Sequence, residues 1–142
     1  DFDLSSSLSL RVRGEVSFYK EDKESGTKEY NKGQLFFTDL IYRFERFPLK
    51  ISSRYAIFNT FDYDTRIYAY ENDVLYAFSI PAYAGNGTKT YLMLQYKWRN
   101  KLDIWLRYAQ SYFPNDYVQS SGINEVNANT LSELKLQVRW TF

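Results

Sequence analysis

Two glutamates in alternating segments are the residues of this sequence best suited to acid–base chemistry. Glu15 and Glu133 each lie in a run of alternating polar and apolar residues, where a carboxylate on the polar face of a strand could act as a general acid or base. A second acidic feature is Asp62-Tyr63-Asp64, whose alternate carboxylates could hold Ca²⁺ weakly. Two carboxylates fall short of the roughly six to eight oxygen ligands that Ca²⁺ takes, so a solvated loop is the better prediction there.

The amino-acid composition excludes most other chemistry. The 142 residues include no histidine and no cysteine. The chain therefore lacks the commonest general base and metal ligand, and it also lacks thiolate nucleophiles, disulfides and cysteine zinc sites. The net charge of +1 argues against a nucleic-acid-binding surface, which is normally strongly basic. We predict a chain that is not an enzyme, holds no metal or cofactor and binds no nucleic acid, with Glu15 and Glu133 paired to Arg and Lys side chains.

Alternation with a period of two residues is the main structural signal. Between Leu4 and Phe18 most even positions are apolar, whereas the odd positions are Ser, Arg or Glu. The same pattern recurs at 90–99, 102–109 and 133–142. A helix would mix both kinds of residue on each of its faces, so the pattern predicts β-strands with one polar and one apolar face.

Eight strands are predicted from this pattern and from the turns between its segments. Arg99-Asn100-Lys101 is a gap of turn length, and pairing across it places Lys97 opposite Asp103 on the polar face. The same register places Leu94 opposite Leu106 on the apolar face, so register and sidedness agree. The predicted strands cover residues 3–19, 34–45, 49–58, 65–71, 74–81, 89–98, 102–113 and 131–142.

Short and long connections alternate between these strands. The short turns are predicted at 46–48, 71–73 and 99–101. The long polar loops are predicted at 20–33, 59–64, 82–88 and 114–130. Tight turns at one end and long loops at the other are typical of outer-membrane barrels. The predicted fold is therefore all-β, an antiparallel up-and-down transmembrane β-barrel that forms a single domain over residues 1–142 or the C-terminal part of a larger barrel.

The two faces of the predicted sheet indicate which side meets lipid. The apolar faces carry no charge over membrane-length stretches, whereas charged residues gather on the opposite faces. Aromatic residues crowd the strand ends, with Trp98 and Trp140 near the short turns. Phe18, Phe58 and Phe113 lie near the long loops, so the two groups predict the aromatic girdles of a membrane barrel. The predicted lumen-facing polar cluster consists of Arg11, Arg13, Glu15, Lys97, Asp103, Arg107, Glu133, Lys135 and Arg139.

The last predicted strand resembles the C-terminal signature of bacterial outer-membrane barrels. In that family an alternating final strand ends in an aromatic residue, usually Phe, which the barrel-assembly machinery recognises. The matching positions in this chain are Leu134, Leu136, Val138, Trp140 and Phe142. The resemblance implies that this machinery inserts the chain into the outer membrane of a Gram-negative bacterium.

A narrower resemblance covers residues 50–142. This region is similar to the C-terminal barrel of certain Bacteroidota outer-membrane proteins that carry helix-hairpin-helix motifs ahead of the barrel. The best-matching stretches are RIYAYENDVLYAFSIP at 66–81 and LDIWLRYAQSYF at 102–113. The resemblance implies that the chain is the tail of a larger barrel. It transfers no DNA-binding residue, because the helix-hairpin-helix part does not occur in this sequence.

Structural and transport functions both follow from this fold prediction. A closed eight-stranded barrel has an interior filled by side chains and would serve as a structural anchor or as a platform that presents its loops. As part of a larger barrel, the chain would belong to a transport or secretion assembly or to a porin-like passive channel. A soluble, lipocalin-like carrier of a small ligand is the second alternative. The expected partners are membrane lipid, lipopolysaccharide, the barrel-assembly machinery and other outer-membrane protein chains.

Overall fold

The chain folds into β-strands joined by turns. The computed structural model describes residues 1–22, 28–99, 101–114, 118–119, 126–127 and 129–142, and all helical or extended structure assigned in them is β-strand. The strands are β1 (Phe2–Asp3), β2 (Leu8–Asp22), β3 (Lys28–Arg43), β4 (Leu49–Thr60), β5 (Ile67–Tyr68), β6 (Ala82–Tyr83), β7 (Asn86–Trp98), β8 (Leu102–Tyr112), β9 (Val118–Gln119), β10 (Val126–Asn127) and β11 (Thr130–Trp140).

The main sheet is an antiparallel meander of seven strands in the order β1-β2-β3-β4-β7-β8-β11. Two small two-stranded sheets, β5–β6 and β9–β10, share no strand with the main sheet. The prediction of an all-β, antiparallel, up-and-down arrangement is therefore confirmed. A closed barrel would require the first and last long strands to pair. In the described residues, β2 and β11 do not pair with each other. The sheet formed by the described strands is open, and they do not form the predicted closed barrel of eight strands.

Two of the eight predicted strands, 65–71 and 74–81, are wrong as members of the main sheet. β4 pairs directly with β7, with Ile51 opposite Leu94, so the chain between them leaves the sheet. That segment, residues 61–85, is called the insert below. It forms an irregular hairpin in which β5 pairs with β6 and Glu71 bridges Ser79. A hairpin lying flat on a sheet buries every second side chain just as a strand within the sheet does, which explains why the sequence pattern was misleading.

The predicted connections are confirmed at two turns and corrected elsewhere. β7 and β8 pair in the predicted register, with Lys97 opposite Asp103 and Leu94 opposite Leu106. The predicted loop at 20–33 is largely strand, because β2 and β3 pair as far as Asp22 opposite Lys28. Polar residues do not end these strands, since the ladder is held by backbone hydrogen bonds rather than by burial. Residues 23–27, 100, 115–117, 120–125 and 128, parts of three predicted connections, lie outside the described residues.

The insert packs against one face of the sheet and forms the main apolar core with it. Phe58 and Phe113, predicted in an aromatic girdle, lie instead beneath the insert and contact each other at 5.9 Å between ring centroids. Phe58 also contacts Tyr83 of the insert edge to face. The girdle prediction is wrong for these two rings because their strand positions face the insert. The whole cluster consists of Leu35, Phe37, Ala56, Phe58, Ile67, Ala69, Tyr83 and Phe113.

Gly33 provides the room for the insert to approach β3. A Cβ at this position would collide with the carbonyl oxygen of Thr65 and with the hydroxyl of Ser17. The Ser17 hydroxyl donates a 2.5 Å hydrogen bond to that same carbonyl. Asp62 fixes the turn before Thr65, because its Oδ1 accepts the Thr65 N–H at 2.9 Å while its Oδ2 accepts from Asn31 at 2.8 Å. The Asp62 carboxylate therefore holds a turn of the insert.

The opposite face of the sheet is called the uncharged face below. Away from the far ends of β2 and β3, where Lys20 and Lys32 lie on the same side of the sheet, it comprises the even-numbered residues of 8–18, 34–42, 88–98, 102–112 and 130–140 and the odd-numbered residues of 49–59. None of these residues is Asp, Glu, Lys or Arg. One row across the six long strands is Leu8, Tyr42, Ile51, Leu94, Leu106 and Leu136. Large apolar side chains on this face are exposed, including Leu136 at 67% and Leu134 at 69%.

Candidate functional site

Arg107 of β8 is the centre of an ion-pair network between the sheet and the insert. Its side chain is almost completely buried, and its guanidinium forms a close ion pair with Glu71 of the insert. A second guanidinium nitrogen donates to Glu133 of β11 at 2.8 Å. Its Nε donates to the carbonyl oxygen of Asn72 at 3.1 Å. One arginine therefore ties together β8, β11 and the insert.

Two lysines complete the network and balance its charge. Lys135 Nζ lies 2.8 Å from Asp73 Oδ2 and 2.9 Å from Glu133 Oε1. Lys89 Nζ lies 2.8 Å from Glu71 Oε1, which also accepts a 2.6 Å hydrogen bond from the Tyr83 hydroxyl. Three carboxylates, Glu71, Asp73 and Glu133, thus meet three cations, Lys89, Arg107 and Lys135. The set is electrically neutral, and removing one of its buried members would leave an opposite charge unpaired.

The pKa of Asp73 reflects its place in this network. Burial alone would raise the pKa of its carboxyl group, because a charge is poorly solvated there. The hydrogen bonds from Lys135 and from the Val74 N–H, together with the charge of Arg107, outweigh that effect. The pKa of Asp73 is therefore lower than its ordinary value, and the carboxylate form is the one that holds the insert.

A second buried ion pair lies on β3 and β4, and β4 is the strand next to β7 in the sheet. Asp39 and Arg54 are directly opposite on β3 and β4, and both side chains are almost fully buried. The pair is bidentate, with Arg54 Nε 2.5 Å from Asp39 Oδ1 and Nη2 2.7 Å from Oδ2. The guanidinium carbon lies 3.7 Å from the centroid of the Phe37 ring, so the cation also stacks on an aromatic face.

The predicted polar cluster lies on the insert-side face but does not form one site. Glu133, Lys135 and Arg107 belong to the network just described. The others pair locally, as Arg11 with Asp1, Arg13 with Glu15, and Arg139 with Asp103. Lys97 lies opposite Asp103, yet the Asp103 carboxylate is taken by Arg139. Within the ranges that the structure describes, no ion pair or hydrogen bond is recorded for the Lys97 side chain.

Several residues of the network were missed by sequence reasoning. The alternating pattern predicts Glu71 and Asp73 in a short turn between two strands, where no contact with Arg107 is expected. Burial of Asp39 and Arg54 in the sheet could have been predicted from the sequence, because each lies among apolar residues of a predicted strand. Their pairing required the register of β3 against β4, which the irregular turn at 46–48 does not give from sequence.

The geometry of these groups suits a structural role better than acid–base chemistry. Both candidate catalytic carboxylates, Glu15 and Glu133, are held by arginine or lysine side chains. A general base needs a group near neutral pKa and room for a substrate. Asp62 is used in a turn of the insert, and among the described residues no cluster of three or more metal-ligating His, Cys, Asp or Glu side chains occurs.

The predicted assembly-signal residues lie at one edge of the main sheet. Leu134, Leu136, Val138 and Trp140 are on β11, all on the uncharged face and all exposed. Phe142 follows the end of the strand and is fully exposed. Exposed apolar side chains in an unbroken alternating row are the kind of feature that a partner or a membrane covers.

Comparison with known proteins gave no match to a family model, to a curated protein or to a solved structure. The described part of the chain contains no helix of sufficient length and apolar character to cross a membrane.

Proposed function

We propose that this chain forms a membrane-spanning wall of an outer-membrane β-barrel and serves as a structural anchor whose loops are presented outside the membrane. The observation that carries the proposal is the uncharged face, which extends over six neighbouring strands and exposes large apolar side chains. Soluble monomers rarely expose apolar patches larger than a few hundred Å². Hydrocarbon is the environment that such a face fits, since charge there costs about 2–4 kcal/mol per residue at the bilayer centre.

The dimensions of the strands support membrane insertion. The long strands contain between 11 and 16 residues, and a tilted strand needs about 9–11 residues to cross a bilayer. Trp98 and Trp140 lie at the same end of the uncharged face, where Leu102 is opposite both. Indole rings prefer the interface between hydrocarbon and water, so this end fits headgroup depth.

The distribution of polarity favours this function over the soluble carrier. A lipocalin-like protein has its apolar residues inside, around the ligand, and its charges outside. In this chain the uncharged face exposes its large apolar side chains, and the charges lie on the face against which the insert packs. A soluble carrier would therefore have to expose its apolar side chains to water.

The open sheet supports a barrel completed by further strands. Open edges are not stable in hydrocarbon, because unpaired backbone groups find no water there. β11 has β8 on one side and no strand on the other in the described residues, and β2 is paired beyond β3 only with the two-residue β1. The strands that pair with these two edges would come from another region of a longer chain or from another protein chain. This agrees with the larger barrel that the Bacteroidota resemblance implies.

The insert favours an anchor over a passive channel. Residues 61–85 lie over the part of the charged face around Arg107 and are held there by ion pairs of Arg107 and Lys135. A porin-like wall would leave its polar face open to water.

The three tryptophans allow the proposal to be tested by their position. Trp98 and Trp140 are on the uncharged face, whereas Trp105 is buried beneath the insert. The variant Trp105→Phe keeps the first two, and the double variant Trp98→Phe/Trp140→Phe keeps only the third. In vesicles whose acyl chains are brominated close to the headgroup, we expect strong fluorescence quenching in Trp105→Phe and weak quenching in the double variant. Equal quenching, or a chain that stays in solution without detergent, would contradict the proposal.

A further inference from the structure

Three cations converge at the short-turn end of the insert-side face. Arg43 ends β3, Lys50 follows the next turn on β4, and Lys97 is near the end of β7. Arg43 is directly opposite Lys50, and Lys50 is opposite Gln95, two residues before Lys97. Like charges placed opposite each other on antiparallel strands are destabilising. Their side chains have no recorded acidic or hydrogen-bonding partner in the described part of the chain.

The acidic groups near these cations are engaged elsewhere. Glu45 accepts hydrogen bonds from the hydroxyls of Ser6 at 3.0 Å and Ser7 at 2.8 Å. Asp103, opposite Lys97, is held by Arg139. A neighbouring cavity that Arg43 also borders contains Asp1 and Asp3, which bind Arg11 and Ser9 respectively. In the described ranges, none of the three cations forms an ion pair with these acidic side chains.

The three cations line one cavity of about 360 Å³. Gln95 adds an amide donor to its wall. Phe44, Pro48 and Leu49 form an apolar wall on the side of the short turn. Ligand sites are commonly concave, largely apolar and furnished with a few convergent polar groups, and this cavity has that composition.

We propose that this cavity binds a phosphate group. A guanidinium accommodates two phosphate oxygens in a bidentate manner, and two ammonium groups supply further point charges. A monocarboxylate would neutralise only one of the three cations, whereas a phosphate carries more charge and more acceptor oxygens. The apolar wall accommodates an organic group esterified to the phosphate. Either a phospholipid headgroup or a water-soluble phosphate supplies this chemistry, and the site does not depend on the proposed membrane function.

The binding test uses the full chain in a phosphate-free, uncharged detergent. One arm titrates inorganic phosphate by calorimetry, and the other titrates short-chain phosphatidic acid below its micelle concentration. The double variant Lys50→Gln/Lys97→Gln should weaken binding by about tenfold or more, because it removes two of the three positive charges that line the cavity. Lys32→Gln is the matched control, since Lys32 is exposed on the other half of β3, and it should bind as the parent chain does.

The outcomes separate the two sources and leave a clear refutation. Binding of phosphatidic acid alone identifies a lipid headgroup, and binding of inorganic phosphate, with or without binding of phosphatidic acid, identifies a general phosphate site. No binding in either arm would overturn the proposal. So would equal binding by the double variant, whose folding is verified by circular dichroism. The double variant should fold well, because it removes mutual repulsion among cations.

Discussion

Arg107 and Lys135 lie directly opposite each other on β8 and β11, two cations side by side on the same face of the sheet. In isolation this pairing would be unfavourable. The insert resolves it, because Glu71 binds Arg107 and Asp73 binds Lys135, while Glu133 contacts both cations. The last hairpin of the sheet and the insert therefore stabilise each other.

The first prediction concerns the buried end of this network. Glu71→Gln removes a fully buried carboxylate and leaves Arg107 and Lys89 without their shared anion. We expect a loss of about 3–5 kcal/mol in the free energy of unfolding, as for breaking a buried ion pair. Urea unfolding of the refolded chain measures it. The control is Glu133→Gln, since the Glu133 side chain is half exposed. This substitution should lower the free energy of unfolding by less than about 1 kcal/mol. Similar costs for the two would show that Glu71 does not hold the insert.

The second prediction is a pH dependence set by Asp73. Its pKa in the folded state lies below the ordinary value of 3.8, so the unfolded chain takes up the proton more readily. The resulting stabilisation is fully present above that ordinary value and is lost as the pH falls through the folded pKa. Limited proteolysis of the insert should therefore accelerate in acid, below about pH 4. In the variant Asp73→Asn, the protease should cleave the insert faster at neutral pH, and lowering the pH should accelerate cleavage less than in the parent chain. An unchanged acid response would refute the role of Asp73.

The third prediction compares the two faces of one strand. Leu136 is exposed on the uncharged face of β11, and its neighbour Gln137 is on the insert side. Leu136→Arg should reduce the stability of the vesicle-inserted protein by about 2–4 kcal/mol, because an arginine near the bilayer centre is poorly solvated. Gln137→Arg introduces the same side chain one residue away and should cost distinctly less. Equal losses in vesicle-folding titrations would contradict the assignment of the lipid-facing side.

The regular strands were predictable from sequence because their alternation is long and their turn is short. Leu94 opposite Leu106 and Lys97 opposite Asp103 follow from one turn-sized gap and the requirement that apolar residues share a face. The insert was not predictable, since Ile67, Ala69 and Glu71 are buried at every second position as in a strand of the sheet. The choice between the two arrangements depends on β4 pairing with β7, a contact distant in sequence.

The ion pairs show the same division between local and distant information. Asp103 has a cation opposite it on each side, Lys97 on β7 and Arg139 on β11. The structure gives the carboxylate to Arg139, whose Nε and Nη2 both donate to it. A planar guanidinium presents its donors in a fixed arrangement that matches a carboxylate, whereas an ammonium is a point charge on a flexible stem. Because Asp103 binds Arg139, Lys97 is not paired with it and lines the cationic cavity instead. The strand register alone does not predict this outcome.

The last prediction uses two glycines of the same hairpin. Gly33 on β3 lies where the Thr65 carbonyl and the Ser17 hydroxyl approach, so a methyl group there must push the insert away. Gly33→Ala should cost about 1–3 kcal/mol, as for overpacking elsewhere. Gly14 on β2 has open space, with the nearest atom, on Phe36, 4.0 Å from a Cβ.

Gly14→Ala is therefore the matched control, and it should be neutral or stabilise the chain by up to about 1 kcal/mol, because alanine loses less conformational entropy than glycine on folding. Both variants are compared by urea unfolding and by the rate at which a protease cleaves the insert. Gly33→Ala should raise that rate and Gly14→Ala should not, since only the first substitution displaces Thr65. An insert that stays equally protected in both variants would show that its position does not depend on the close approach to β3.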